Sequence, residues 1–475
     1  MILYYTDCLK TTTFSKRGSK MSFLGENYLI DNSIGKKLYQ AVRTLPIVDA
    51  HNHANVKEIA DNANYANVWQ LFAATDHYVW EVLRKRGVAE EYITGSRSPE
   101  EKWLKLASVF PEIAGNPVYE WIHLDLSRYL GITKLIGPDT GAAIWDEANA
   151  ALAKPESKPQ ALLEKIGVES MCSTDDPIDS LHDHRVITRT TGKALVRPTW
   201  RPDKAMKIKN PGWRDYIEKV AERFNMKIET FDDLLQAMAL SHDFFAENGC
   251  VATDHGLEVM VSGVAPKSEA AVIFRKGMEG EKISEEEANT YMSCFLGEVC
   301  ELNAQKGWVT QLHLGAVRDV RDSLYKSLGP DVGGDICNSM QDQMRPLIPF
   351  LNRFDNRLKV VLYCLDPAHQ SMLATMARAF GEKVRLGSAW WLLDTPVGMR
   401  RQLEYIGSVD TFANFAGMVS DSRKLLSYGS RFEMFRRVLC SVLGEHVERG
   451  QAPYEVIEKL AVGMCYQNTK TFYNL

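Results

Sequence analysis

His51 and His53, in the run Val48-Asp-Ala-His-Asn-His53, are two imidazoles a dipeptide apart behind a short apolar stretch, Pro46-Ile47-Val48. Side chains alternate faces along an extended strand, so both rings project to one side and can grip a single divalent cation. The same spacing also fits a strand that runs into a loop with two surface histidines. Asp421, in Asp421-Ser-Arg423, offers a carboxylate, and His313, in His313-Leu-Gly315, a further imidazole. Two imidazoles and one carboxylate leave coordination positions open, which suits a catalytic rather than a structural ion; His313 is then a fourth ligand or a neighbouring acid/base. A His-rich shell makes zinc the first expectation, with Mn, Co and Fe also compatible. His255 either joins this set, caps a helix or fills the core.

Other residues have proton-transfer and anion-binding chemistry. Thr75-Asp-His-Tyr78 opens a helix, either as a plain N-cap followed by two half-buried aromatics or as a device that hangs His77 and Tyr78 over a site as acid/base groups. Arg201 and Arg423 follow apolar runs, where a guanidinium needs an anionic partner. That partner is a substrate carboxylate held bidentately, or else the nearby Asp203 and Asp421.

These residues recur at one kind of place. Short apolar runs beginning at Val168, Ala194, Cys250, Trp308, Leu358, Val384 and Phe415 end respectively in Asp175-Asp176, Arg201, Asp254-His255, His313, Asp366, Trp390-Trp391 and Asp421, and each is followed by a helical pattern. With the run before His51 there are eight, and eight strands alternating with helices predict an α/β (β/α)8 TIM-like barrel whose active site lies at the C-terminal strand ends. The competing architecture, a doubly wound open sheet, lacks its Gly-rich phosphate turn after the first strand. A barrel takes roughly 250 residues, so the remainder of this 475-residue chain is read as helical insertions at about 55–165, after strand 1, and about 265–305. Ser98-Pro-Glu-Glu101 and the capping box Ser284-Glu-Glu-Glu287 mark helix starts within them. Residues 21–475 read as one decorated domain. Residues 1–20, with Lys10, Lys16, Arg17 and Lys20 and no apolar signal core, read as a disordered extension or as the product of a misassigned start codon ahead of Met21.

Composition narrows the class. A net charge of −5 argues against a general nucleic-acid binder while leaving room for a local arginine cluster that takes a small anion. No apolar run approaches the roughly 20 residues of a membrane span. Nine cysteines, an odd number without a CxxC, point to a reducing, cytoplasmic setting rather than a disulfide framework. The run at strand 4 has no Lys for the modified-lysine bridge of binuclear hydrolases, and strand 6 ends in Asp366 rather than His, so one metal at most is expected.

His51-Asn-His53, Thr75-Asp-His-Tyr78, Thr174-Asp-Asp-Pro-Ile-Asp-Ser180, Thr199-Trp-Arg-Pro-Asp-Lys204, His313-Leu-Gly-Ala316, Leu328-Gly-Pro-Asp-Val-Gly333, Gly387-Ser-Ala-Trp-Trp391 and Asp421-Ser-Arg423 together resemble the uronate (glucuronate) isomerases of the amidohydrolase superfamily, from about Phe23 to the C-terminus. Two positions depart from that pattern: Gly334 stands where relatives usually have Phe, and Lys470 where they often have Arg. The resemblance implies a reversible aldose–ketose isomerisation, D-glucuronate to D-fructuronate and D-galacturonate to D-tagaturonate, as the first step of hexuronate catabolism. A proton leaves C2 and is delivered to C1 through a cis-enediol. It further implies Asp421 as the base and Tyr78 and His77 as a shuttle between the C1 and C2 oxygens. Arg201 and Arg423 divide the C6 carboxylate and the enediolate between them, and Trp390 lines the substrate. The ligands of the one ion are His51, His53 and Asp421, with His313 close by. No redox cofactor is implied, since hydrogen moves within one molecule. The expected partner is a small uronic acid, neither nucleic acid nor membrane, and a homo-oligomer is compatible. Two rivals make distinct predictions: a metal-dependent lactonase would prefer lactones and amides over uronates, and a sugar-acid binding protein would bind a uronate without exchanging its C2 proton.

Overall fold

Apolar runs rich in Val, Ile and Leu build the sheets. The computed structural model of the chain describes residues 23–338 and 344–475, so the expectation for residues 1–20 lies outside the described residues. Along the chain the described strands are β1 (Ile47–Asp49), β2 (Val168–Cys172), β3 (Val196–Arg197), β4 (Ala252–Leu257), β5 (Val309–Leu314), β6 (Ala316–Val317), β7 (Ile336–Cys337), β8 (Lys359–Cys364) and β9 (Val384–Leu386). β1-β2-β3 form one parallel sheet, β4-β5-β8-β9 another, and β6 pairs with β7 as an antiparallel two-strand ribbon. Trp200 joins the two parallel sheets: its N–H donates to Ala252 O at 3.3 Å and its carbonyl accepts from the Asp254 N–H at 3.1 Å. The architecture is mixed α/β with parallel sheets, and seven of the eight expected runs form strands in it.

The eighth, from Phe415, is extended but not laddered. Its main chain bonds sparsely to both sides, Ala416 N to Leu386 O at 3.4 Å and Asp421 N to His51 O at 3.2 Å. Side chains take the intervening N–H groups: Val419 N donates to Ser388 Oγ and Ser420 N to Asp49 Oδ1. Gly417 at φ +113° and Asp421 at φ +49° break the extended conformation, which hydrophobic periodicity does not encode. Gly417 must be glycine, because a Cβ there would lie 1.7 Å from Thr469 Oγ1.

The expected insertions are helical. Between β1 and β2 the described chain forms helices only, among them His77–Lys85, Pro99–Val109 and Pro117–Tyr129; the second insertion supplies Lys267–Met278 and Glu285–Lys306. Ser98 and Ser284 both make the expected reciprocal capping boxes, with Glu101 and Glu287. A small apolar cluster, including Ala50, Ala252, Val309, Val361, Tyr363 and Val419, sits inside the sheets, while a far larger one packs helices on their outside. Tyr473 plugs the inner cluster from the C-terminal helix, its hydroxyl donating to Gln311 Oε1 at 3.1 Å. Lys470 pairs there with Glu169, at the start of β2, so this departure from the family pattern lies at the end of the strands remote from His51 and Asp421.

The outer core gives one pH-dependent expectation. His242 is fully buried between Trp200 and Trp308, its Nε2–H donating to Asn303 Oδ1 at 2.9 Å, and its Nδ1 has no partner among the described residues. Burial holds its pKa down at about 4, against an ordinary 6.5. The unfolded chain therefore takes up the proton first, so this contribution to stability is complete above about pH 6.5 and drains away as pH falls towards 4. In His242→Gln, the stability measured by urea unfolding is expected to vary less steeply with pH over that window, by up to about 1.4 kcal/mol per pH unit.

Candidate active site

The two ends of the chain's sheet system meet at His51. Asp421 N donates to His51 O at 3.2 Å and His53 N to Ser422 O at 3.0 Å, so the main chains after β1 and around residue 421 hold each other in register. Asp49 reinforces the junction: its carboxylate accepts from the Ser420 N–H and hydroxyl and from Asn52 Nδ2. The result is that His51 Nε2 and His53 Nε2 each lie 3.2 Å from the same atom, Asp421 Oδ1. Asp421 Oδ2 makes no hydrogen bond among the described residues.

His51 also faces the other way. Its Nδ1 lies 3.4 Å from Asp254 Oδ2, while Asp254 Oδ1 accepts from His313 Nδ1 at 2.7 Å and Oδ2 is 3.4 Å from Arg201 Nη1. Two sets of potential ligand atoms, His51–His53–Asp421 and His51–Asp254–His313, therefore share one imidazole, each with its atoms within 4.8 Å of one another. His313 is thus placed beside the expected ion but through Asp254, a residue absent from the ligand set expected from sequence. The signal for Asp254 is a carboxylate at a strand end, one residue from a histidine.

Electrostatics fit this pairing. Burial alone would raise both carboxyls, yet His51 and His53 hold Asp421 well below the usual carboxylate range, and Arg201, His313 and His51 do the same for Asp254. Burial works against a charged His51, but Asp254 and Asp421 outweigh it and raise its pKa. His313 is pushed down to about 4 by burial, which leaves a neutral ring whose Nδ1–H donates to Asp254 and whose Nε2 lone pair is buried without a partner among the described residues. The donor chemistry of the His51–His53–Asp421 set, two imidazoles and an ionised carboxylate, fits a divalent cation, with Asp254 and His313 behind it on the other nitrogen of His51.

A chain of rings runs from this cluster to the helical insertion. His51 lies 4.3 Å from His313, His313 4.6 Å from Trp390, Trp390 5.5 Å from Trp391, Trp391 5.9 Å from His77 and His77 4.9 Å from Tyr78, all between ring centroids. His77 and Tyr78 reach it because Asp76 caps the helix His77–Lys85, accepting from Tyr78 N at 2.9 Å. The N-cap reading of this motif is what the structure shows, and it sets His77 and Tyr78 at the far end of the chain of rings. Five polar atoms along the chain of rings are buried without a well-formed hydrogen bond among the described residues: His51 Nδ1, His313 Nε2, Trp390 Nε1, His77 Nδ1 and Tyr78 OH. Burial, helped by Arg423, lowers His77 to about 4, and burial raises Tyr78 well above the ordinary phenol.

Of the two arginines, one takes the expected intramolecular partner and the other does not. Arg201 bonds Asp203 at 3.3 Å, as foreseen, but its second partner is Asp254 rather than a free anion. Arg423 is paired not with Asp421 but with both oxygens of Asp331, at 2.6 and 2.7 Å. Asp331 belongs to the Leu328–Gly333 motif, carried over the mouth on the β6–β7 segment, and Gly334 anchors that segment by donating its N–H to Glu81 Oε1 at 2.8 Å. A separation of 92 residues hides this pair in the sequence. His255 and Asp366 stay apart from the cluster: His255 bonds Thr253 Oγ1 within the core, and Asp366 caps its own turn at Ala368 N.

A family model described as glucuronate isomerase matches residues 21–473. The chain is 48% identical over 451 residues to a uronate isomerase of Thermotoga petrophila, covering 95% of this chain and 99% of that protein, and 36% identical over 462 residues to one of Clostridium perfringens, with the same coverage. Among solved structures it is similar to the uronate isomerase of Thermotoga maritima (TM-score 0.93, 47% identity, 95% of this chain and 100% of that one). It is similar also to the glucuronate isomerase of Caulobacter crescentus (TM-score 0.90, 27% identity, 95% and 96%).

Proposed function

This chain belongs to the glucuronate isomerase family and is an isomerase, and from that premise we propose that it interconverts D-glucuronate with D-fructuronate, and D-galacturonate with D-tagaturonate, by moving one proton from C2 to C1 through a cis-enediol. The observation that carries the reading is the division of Asp421: one oxygen faces two imidazoles and the other makes no hydrogen bond among the described residues.

Asp421 Oδ2 takes the C2 proton and returns it to C1. Tyr78 and His77, both neutral, with the phenol oxygen and His77 Nδ1 lacking a well-formed hydrogen bond, pass the hydroxyl proton between the C1 and C2 oxygens. Arg423, whose one carboxylate partner Asp331 is half exposed and exchangeable, receives the C6 carboxylate. Arg201, committed to Asp203 and Asp254 at the base of the mouth, stabilises the enediolate from a fixed position. Trp390 closes one wall and offers its indole N–H. His51, His53 and Asp421 would hold the divalent ion, zinc in the first instance, which when bound polarises the sugar oxygens. We read the fold as a (β/α)8 ring completed by residues 415–421, supported by the bonds on both sides of that segment and by the enclosed apolar cluster.

The test is incubation with D-glucuronate in heavy water, followed at C2 by proton NMR; loss of the C2 signal together with ketose formation is expected, and a bound but unexchanged uronate would refute the reading. A second expectation concerns Asp254. Its carboxylate orients His51 and His313, so Asp254→Asn is expected to weaken Co²⁺ binding by about 10–100-fold, read from the ion's visible absorption during titration. Unchanged affinity would remove Asp254 from that role.

A further inference from the structure

We propose that Arg431 is a positioning residue for the isomerisation, its guanidinium fixing the ring of Tyr78 against the main chain that carries Asp421. The inference rests on the reading of Tyr78 and Asp421 given above. Arg431 lies in the long helix Ser427–Glu448 and is fully buried. Its guanidinium carbon is 4.6 Å from the centroid of the Tyr78 ring and 4.0 Å from that of Trp121, in the corner the two rings make by meeting edge to face at 89°. A cation seated in that corner attracts both rings electrostatically as well as packing against them, and so fixes the angle between them. Its Nη1 donates to Asp394 Oδ2 at 2.9 Å, which neutralises the charge, and to Ser420 O at 2.8 Å.

Ser420 immediately precedes Asp421, which is held at φ +49°, a conformation that a non-glycine residue adopts only where its surroundings impose it. The Ser420 peptide is gripped from two sides, by Arg431 at its carbonyl and by Asp49 at its N–H. One side chain thus ties the proton-shuttling phenol, carried on the helical insertion, to the base, carried beside β1. A role confined to packing would not require a charge: Arg431 Nε is buried without a partner among the described residues, and an apolar side chain of similar volume would avoid desolvating the ion pair.

The test is a double-mutant cycle on the full-length enzyme loaded with its metal, with D-glucuronate as substrate. Arg431→Lys keeps a cation for Asp394 but cannot stack on both rings and bond Ser420 together. It is expected to lower kcat about 10²-fold, with KM moving less than about threefold, as a displacement on the order of 1 Å would do. In the Tyr78→Phe background the same substitution is expected to lower kcat less than about threefold further, because the group it positions is already gone. Equal losses in both backgrounds, or no loss in either, would overturn the proposal. Trp121→Phe loosens the stack without touching the ion pair, and the same coupling to Tyr78 is expected on a smaller scale; additive losses there would overturn it independently if Arg431→Lys does not fold. Absence of turnover in the unmodified enzyme would instead remove the isomerase reading beneath it.

Discussion

Asp421→Asn is expected to lose kcat by on the order of 10⁴-fold while retaining its fold. The carboxylate works at both of its ends. Oδ1 lies 3.2 Å from two imidazole nitrogens, and Oδ2 is free to meet a substrate C–H. A carboxamide keeps the shape and one acceptor, but it has no proton affinity to offer C2 and no charge to offer a cation. The two losses can be separated. Co²⁺ titration reports the first oxygen, and C2 exchange in heavy water at saturating Co²⁺ reports the second. A variant that regains most of its exchange rate once saturated with metal would leave Asp421 as a ligand and remove it as the base. Stability should fall, because the attraction of the buried carboxylate to His51 and His53 is lost, but the fold should be kept, since asparagine can still accept from one imidazole.

Tyr78→Phe is expected to lower kcat by about 10²–10³-fold with little change in KM, and to make the protein more stable. The phenol oxygen is buried and its one polar neighbour, the Arg431 guanidinium, is not placed to form a well-aligned hydrogen bond with it, so folding strips its water without full replacement. Removing it should add about 1 kcal/mol to the unfolding free energy, measured by chemical denaturation of the metal-free proteins. The ring's contacts with His77, Trp121 and Arg431 survive in phenylalanine. Opposite changes in rate and stability are what a hydroxyl kept for chemistry predicts. A variant equally active, or clearly less stable, would mean that the hydroxyl serves the fold. The buried, unpaired atoms of His313, Trp390 and His77 invite the same reasoning, since each is a place where the folded state carries a cost that only a ligand relieves.

Much of this site is legible in the order of residues. His51 and His53 can be paired because side-chain alternation along a strand is a local rule that operates within three residues. The polar residues at the ends of successive apolar runs can be assigned to one face because parallel strands joined by helices all end on the same side. Helix starts at Ser98 and Ser284 are readable because a capping box closes within four residues. What is not legible shares a different feature. Asp331 reaches Arg423 across 92 residues of sequence, and nothing in either neighbourhood names the other. The pairing of Arg201 with Asp254 is equally hidden, because the burial of that carboxylate beside the guanidinium cannot be read from residue type or spacing.

The chain's order of residues therefore determined which groups stand at strand ends, that the 55–165 segment is helical, and that two imidazoles share a side. The tertiary structure alone decided that the Asp421 main chain bonds that of His51, that two ligand sets share one imidazole, and that Arg431 packs against both Tyr78 and Trp121. The physical reason is one of range. Backbone alternation and capping are set by neighbours in sequence, whereas charge pairing in a low-dielectric interior is set by whichever groups the packing of distant segments leaves face to face.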